Sequence, residues 1–316
     1  MRARTSSEPL FPVIVVGLGP AGAAALSELA RQGIAALGIG DEPVGGLVRA
    51  ARRIDNLPAL GRPAPGAALA RRLARHLQDR KARLQHTRVV RIERDGIEFL
   101  CTDDRERSWR ARCVILATGT RPLPWVPAVA GNWLHRDART LPRDLRGTSV
   151  VVVGGGEAAL DTALSAADRG ARVKLLLRSD RLRAPAPLVR EARRAGVRVM
   201  AHQRVRSVHA APGAVRIFTE VAGRQRRVRC HHLAVCIGRA PARELISGLA
   251  PDVSAELAVA GLAPGLFLAG DVRGRGLRFC AQALADGQAA AQAACAYLDQ
   301  PLAARPGVAS RRGKSF

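Results

Sequence analysis

At 316 residues, 47% of them hydrophobic, the chain has material for about two domains with buried cores. No apolar run reaches the roughly 18 residues of a membrane span. The net charge of +25 is carried almost entirely by arginine, since Lys81, Lys174 and Lys314 are the only lysines. Such charge reflects either an Arg- and Ala-rich compositional bias or attraction to an acidic partner over long range; with 3% aromatics the arginines are not interleaved with stacking platforms, which argues against nucleic acid. Met1–Pro12 has no apolar core ahead of the first strand, so no signal peptide is expected and a cytoplasmic location is. The six cysteines, Cys101, Cys113, Cys230, Cys236, Cys280 and Cys295, include no C-x-x-C and no metal-ligand spacing. Neither a disulfide nor a metal is expected.

In chain order, Val13–Val16 is a β-branched run that reads as a buried strand. Gly17-x-Gly19-x-x-Gly22 follows it, and Ala23–Leu29 has helical spacing. This order suits a dinucleotide. The first glycine turns the chain, the second lets a pyrophosphate approach the backbone, and the third lets helix and strand pack closely. The helix N-terminus then offers free N–H groups and its dipole to the phosphate. Ile34–Ile39 reads as the second strand, 41–58 as a Gly- and Pro-rich segment, and 63–65 as a loop. Ala67–Gln78 reads as a helix. Thr87–Arg94 and Gly96–Thr102 read as strands of a small antiparallel sheet, and Arg112–Ala117 as a buried strand. Pro122–Pro127 reads as a hinge.

The opening pattern then returns. Ser149–Val153 is a strand, Gly154-Gly155-Gly156-x-x-Ala159 follows, Ala158–Ala167 reads as helix and Ala171–Leu177 as the next strand. The unit closes on a strand at His232–Ile237. Leu266–Ala269, Gly270-Asp271 and an Ala-rich helix through Leu298 complete the chain, with a basic tail carrying Arg311, Arg312 and Lys314. A repeated strand–glycine–helix unit is far more specific than one G-x-G-x-x-G. The predicted fold class is α/β, with two Rossmann-type dinucleotide-binding domains (three-layer), the second inserted into the first.

Together these motifs resemble the low-molecular-weight thioredoxin reductase-like flavoproteins. The resemblance rests on G-L-G-P-A-G at Gly17–Gly22, Gly45-Gly46, I-D-N at Ile54–Asn56, A-T-G at Ala117–Gly119, G-G-G-E-A-A at Gly154–Ala159 and A-G-D at Ala269–Asp271. It implies a discontinuous FAD domain over 1–124 and 242–316, and an NAD(P)H domain over 125–241. The implied FAD residues are Gly17, Gly19, Pro20, Ala21, Gly22, Gly45, Gly46, Asn56, Val89, Thr118, Gly119, Gly270 and Asp271, with Asp41 on the adenosine ribose. The implied NADPH residues are Gly154, Gly156, Glu157 and Ala159. Arg178 and Arg183 match arginines that grip the 2′-phosphate, although Ser179 replaces a third. A homodimer is implied as well.

The departures bear on function. Where thioredoxin reductases carry C-A-T-C, this chain reads Asp137-Ala138-Arg139-Thr140, so no dithiol stands there. That linker and the tail are more similar to ferredoxin/flavodoxin–NADP reductases of the thioredoxin reductase-like type. Yet Val308 stands where their tail has a His, and Leu47–Arg53 lacks their flavin-stacking Tyr. His135 is a weak candidate proton donor. Three readings stay open: an NADPH:FAD oxidoreductase serving an acidic carrier, ferredoxin or flavodoxin; a reductase of small molecules or disulfides directly at the flavin; and a non-catalytic nucleotide-binding regulator.

Overall fold

The computed structural model describes residues 9–125, 127–246, 249, 263–274 and 278–301. Val126 of the expected hinge, Val308 and the basic tail lie outside the described residues. The chain opens with β1 (Leu10–Val16), α1 (Pro20–Arg31), β2 (Ala36–Ile39), α2 (Gly66–Asp79), β3 (Arg83–Gln85), β4 (Val89–Asp95), β5 (Glu98–Asp103), β6 (Ser108–Leu116) and β7 (Thr120–Pro122). Next come β8 (Leu134–His135), β9 (Ser149–Val153), α3 (Glu157–Asp168), β10 (Arg172–Leu176), α4 (Ala186–Arg194) and β11 (Arg198–Met200). It ends with β12 (Arg204–Ala211), β13 (Ala214–Val221), β14 (Arg224–Cys230), β15 (His232–Val235), β16 (Arg239–Pro241), β17 (Leu266–Leu268) and α5 (Cys280–Asp299).

These elements form two compact units. One takes in the chain up to Val48, Ala68–Thr120 and the chain from Pro241 on; the other takes Arg49–Ala67 and Arg121–Ala240. In the first unit a seven-stranded sheet runs β3-β2-β1-β6-β5-β4, with β17 also paired to β6. Its β1, β2, β3, β6 and β17 are parallel, while β4, β5 and β6 pair antiparallel. The small antiparallel sheet expected from 87 to 102 is therefore the edge of the main one. In the second unit β11-β10-β9-β15-β8 make a parallel sheet, and β12-β13-β14 form a separate antiparallel meander.

Both central strands are buried on both faces, which is why they read as unbroken aliphatic runs. Val13 and Val15 join a core with Leu26, Leu29 and Ala291 of the helices. Ile14 and Val16 face the other way, onto Phe99, Cys101 and Val114. The second unit repeats the scheme. Val150 and Val152 meet Leu160, Ala163 and Leu164 of α3, while Val151 and Val153 meet Val208, Val215, Ile217 and Val228 of the meander. Val and Leu fill these layers at roughly 1.5–3 kcal/mol per buried side chain, with Ala adding less, so few aromatics are needed. Helices α1 and α5 approach so closely that a Cβ on Gly287 would lie 2.1 Å from the Ala21 carbonyl oxygen.

Arg49–Ala67 groups by its contacts with the second unit. Polar contacts accompany this grouping. The Arg52 backbone N–H donates to Asp161 Oδ2 at 2.9 Å, and its guanidinium pairs with Asp168 and, at 2.7 Å, with Glu191. Arg53 adds a second contact to Glu191 at 3.1 Å. Burial raises the Asp161 carboxyl to about 6, against the lowering effect of the Arg52 backbone bond and charge.

One ion pair in the first unit is fully enclosed. Arg273 Nη1 meets Asp286 Oδ1 at 2.5 Å, with side chains only 2% and 7% exposed. Asp286 also accepts the Gly270 N–H at 3.2 Å and the Gln282 amide at 2.7 Å. Removing one partner strands a buried charge, so Arg273→Ala should destabilise by about 3–5 kcal/mol. The exposed Arg146–Asp144 pair is the control, and Arg146→Ala should leave stability nearly unchanged. Urea unfolding midpoints read the two side by side; equal losses would contradict this ranking.

Candidate functional site: two glycine cradles

The first cradle forms where β1 runs into α1. Gly17 has φ +104°, and a Cβ there would lie 2.3 Å from the Ala117 carbonyl oxygen. Its N–H donates to Ile39 O at 2.7 Å, tying the turn to the end of β2. A Cβ on Gly22 would lie 1.8 Å from Gly17 O, so only glycine lets the helix sit this close to the turn. Gly19 differs, because a Cβ on it would meet nothing within 4 Å. Its small size leaves space beside the helix N-terminus rather than relieving a clash. Pro20 opens α1 without an N–H to satisfy, no acidic residue stands in the first turn, and the N-cap Gly19 offers no side-chain cap. Gly45 N–H donates to Leu18 O at 2.8 Å, and a Cβ on Gly46 would lie 3.2 Å from Gly19 Cα. On the α5 side, a Cβ on Gly270 would lie 2.9 Å from the Ala21 Cβ. Thus Gly17, Gly19, Pro20, Ala21, Gly22, Gly45, Gly46 and Gly270 are brought together.

The other expected residues of this group divide. Thr118 lies beside Gly17, and its hydroxyl donates to Ala242 O at 2.7 Å. Gly119 turns the chain at φ +67° and accepts the Ala242 N–H at 3.0 Å. Asp271 follows Gly270 in a short 3-10 turn. Asp41 is exposed in the bend just after β2. Val89 is a core residue, packed in the aliphatic cluster with Ile92 and Leu116. Asn56 is exposed and falls in the Arg49–Ala67 segment, which packs with the second unit.

The second cradle repeats the first. Gly154 has φ +141°, and a Cβ on it would lie 2.2 Å from Cys236 O and 3.2 Å from the Ala159 Cβ. Gly156 caps α3 without a side-chain bond, and a Cβ on it would again meet open space. Glu157 is the first helical residue and is exposed. The Arg183 N–H donates to Gly155 O at 2.7 Å, and Gly156 and Arg183 form an isolated bridge. The loop after β10 is thereby pinned against the glycine turn, with the Arg178 and Arg183 side chains exposed. The sequence did not announce this backbone tie, since Arg183 carries no turn signal of its own.

The dithiol register is occupied by an ion pair. Asp137 accepts the Arg139 backbone N–H at 2.9 Å and its guanidinium at 3.0 and 2.9 Å. Burial pushes this carboxyl up, but Arg139 outweighs it and the net effect is downward. None of the six cysteines is in a disulfide. Burial raises Cys236 to about 11, Cys280 to about 11, and Cys101 and Cys230 to about 12, and raises Cys295 too. A thiol nucleophile needs the opposite shift. Among the described residues no group of three His, Cys, Asp or Glu side chains could hold a metal ion.

His135 is 3% exposed. Its Nδ1 bonds Thr140 Oγ1 at 2.9 Å and its Nε2 bonds His232 Nδ1 at 3.1 Å. Burial first, then the His232 charge, lower it to about 4, against a small opposing effect of Asp137. A ring that is neutral at pH 7 and bonded at both nitrogens is part of the core of the second unit, not a poised proton donor.

Two sheet-to-helix turns with matched glycine contacts mark a protein of two dinucleotide-binding units. The chain belongs to the pyridine nucleotide-disulphide oxidoreductase family, which it matches over residues 11–287. It is 28% identical to a thioredoxin reductase of Treponema pallidum over 305 residues, covering 92% of this chain and 97% of the relative. It is 28% identical to a ferredoxin–NADP reductase of Ignicoccus hospitalis over 240 residues, covering 72% and 77%. The fold matches the crystal structure of Lactococcus lactis thioredoxin reductase at a TM-score of 0.82 and 22% identity, covering 91% of this chain and 99% of that one. Among the described residues no helix is long and apolar enough to cross a membrane.

FAD and NADPH are the cofactors of such enzymes. Both cradles fit a diphosphate, with an open face at Gly19 and at Gly156 and an uncapped helix N-terminus behind each. Two expectations follow. Gly19→Ala should fold normally yet retain less flavin, whereas Gly22→Ala should lose soluble protein, because its Cβ would collide with backbone. Flavin absorbance per chain and circular dichroism separate the outcomes. Second, an unfolded His titrates near its ordinary 6.5, while His135 stays neutral down to about 4. Stability is therefore full above pH 6.5 and falls as pH drops toward 4, by on the order of 3 kcal/mol. Replacing His135 by Asn should flatten the melting temperature between about pH 7 and pH 4.5 relative to wild type.

Proposed function

We propose that this protein is an NADPH-dependent flavin oxidoreductase that delivers electrons to an acidic carrier of the ferredoxin or flavodoxin type. When bound, FAD supplies hydride acceptance from NADPH and onward electron release. The chain's own residues bind and orient. Gly17, Gly19 and Gly22, with α1 behind them, hold the FAD diphosphate, and Gly45, Gly46, Thr118, Gly119, Gly270 and Asp271 line the rest of that site. Gly154, Gly156 and Ala159 hold the NADPH diphosphate. Arg178 and Arg183 bind the 2′-phosphate, for which planar guanidinium groups are well suited.

The observation that carries this reading is the Asp137–Arg139 ion pair in the dithiol register, in a chain whose cysteines form no disulfide and are mostly held as protonated thiols. Electrons must leave the flavin without a protein disulfide relay. The ferredoxin–NADP reductase relative and the net charge of +25 support an acidic recipient. The thioredoxin reductase relative favours a second reading, direct reduction of a small molecule or disulfide at the flavin.

Anaerobic titration with NADPH should bleach the bound flavin; an unbleached flavin would point to a nucleotide-binding regulator. NADPH-dependent reduction of ferredoxin or flavodoxin should then fall steeply with ionic strength, as steered encounters do. Turnover with low-mass disulfides or quinones and none with either carrier would favour the second reading. Arg178→Gln with Arg183→Gln should raise the KM for NADPH by about tenfold or more through lost charge-assisted bonds and leave NADH turnover little changed.

A further inference from the structure

The meander of β12, β13 and β14 packs one face on the core of the second unit and turns the other to solvent. The inward rows hold Val208, Val215, Ile217 and Val228. The outward face is set by register. His209, Arg216 and Arg229 stand in one cross-strand row, and Ser207, Phe218 and Arg227 in the next. Arg216, Arg227 and Arg229 are exposed. Between Arg204 and Cys230 the chain carries seven arginines and a single carboxylate, Glu220. That carboxylate is taken by Arg206 at 2.7 Å. Among the described residues Arg216, Arg227 and Arg229 have no acidic partner.

This placement is costly for the fold by itself. Arg216 and Arg229 are directly opposed on neighbouring strands, and like charges so placed destabilise a sheet. A negatively charged surface laid across the face would remove that repulsion. We infer that the outward face of β12–β14 docks the acidic electron-carrier protein, with Arg216, Arg227 and Arg229 meeting its carboxylates around an apolar contact at Phe218. The inference rests on the carrier reading given above and assigns that partner a surface.

Other occupants fit less well. A second copy of the chain brought face to face would set guanidinium against guanidinium. Single-stranded nucleic acid needs aromatic platforms on which bases stack. Here Phe218 is the only aromatic on the face besides His209, and the two rings already meet edge to face with centroids 5.4 Å apart. The face offers fixed positive charges at strand spacing around one small apolar spot, which suits the mixed acidic and apolar surface of a protein.

The test uses the flavin-loaded protein and an acidic flavodoxin. Arg216→Gln, Arg227→Gln and Arg229→Gln are combined, and a triple Lys variant at the same positions serves as charge-conserving control. Equilibrium binding to flavodoxin at low ionic strength should weaken by about tenfold or more in the Gln variant and remain near wild type in the Lys variant. NADPH-dependent reduction of ferricyanide should be the same in all three, because none of these residues belongs to either cradle. Equal flavodoxin binding by wild type and the Gln variant would overturn the surface while leaving the carrier reading intact. Wild-type binding that depends on these arginines but yields no electron transfer would sink the carrier reading and leave the docking surface standing. Tighter binding of a single-stranded oligonucleotide than of flavodoxin, lost in the Gln variant, would overturn the assignment in favour of nucleic acid.

Discussion

The structure depends on backbone meeting backbone where a side chain would otherwise stand. Gly22 against the Gly17 carbonyl, Gly17 against Ala117 and Gly154 against Cys236 are the same device, a glycine pressed onto a carbonyl at the end of a parallel strand. Each contact fixes the angle at which a helix leaves its sheet. That angle sets where the free N–H groups of the helix point, and hence where a diphosphate can be held. Gly287 against Ala21 extends the constraint to α5, so the helix behind Gly270 is tied to the helix behind Gly19. Small residues at these points matter more than the many aliphatic contacts around them. An aliphatic core can repack, but a Cβ placed 2 Å from a backbone oxygen cannot be accommodated without moving the element.

Much of this was readable from residue order. β-branched runs doubly buried in parallel sheets are conspicuous, and the glycines after Val16 and Val153 mark the turns to α1 and α3. Helix α1 begins at Pro20 rather than Ala23 because proline is well suited to a first helical position. The meander of β12–β14 was not readable, and a register shift between Val205 and Ser207 interrupts its alternation. Several of its outward positions are arginines, and in a chain this basic a run such as Arg224–Cys230 reads as surface charge rather than as a strand. Arg49–Ala67 was hidden for a related reason. Its polar contacts are with Asp161, Asp168 and Glu191, which are distant in sequence and follow no local pattern.

At the candidate site, the residues that proved informative beyond the motifs were those that removed a chemistry. Asp137 and Arg139 occupy each other, His135 is closed off by Thr140 and His232, and burial favours the protonated form of Cys101, Cys230, Cys236, Cys280 and Cys295. What remains is a scaffold whose polar side chains mostly satisfy one another and whose two open places lie at glycines. A protein of this kind contributes position, and the reactive atoms are brought by what it binds.

The membership of Arg49–Ala67 in the second unit has a consequence for how this protein can be taken apart. A gene fragment spanning only Arg121–Ala240 would encode a contiguous piece that looks like a complete domain. It would lack the partner of three carboxylates on α3 and α4, and would leave Asp161 without its backbone donor in a place already poor in water. The second unit takes in more than the contiguous stretch Arg121–Ala240. It borrows a loop from upstream, and any circular permutation, split reporter or domain exchange built on this fold must carry that loop along.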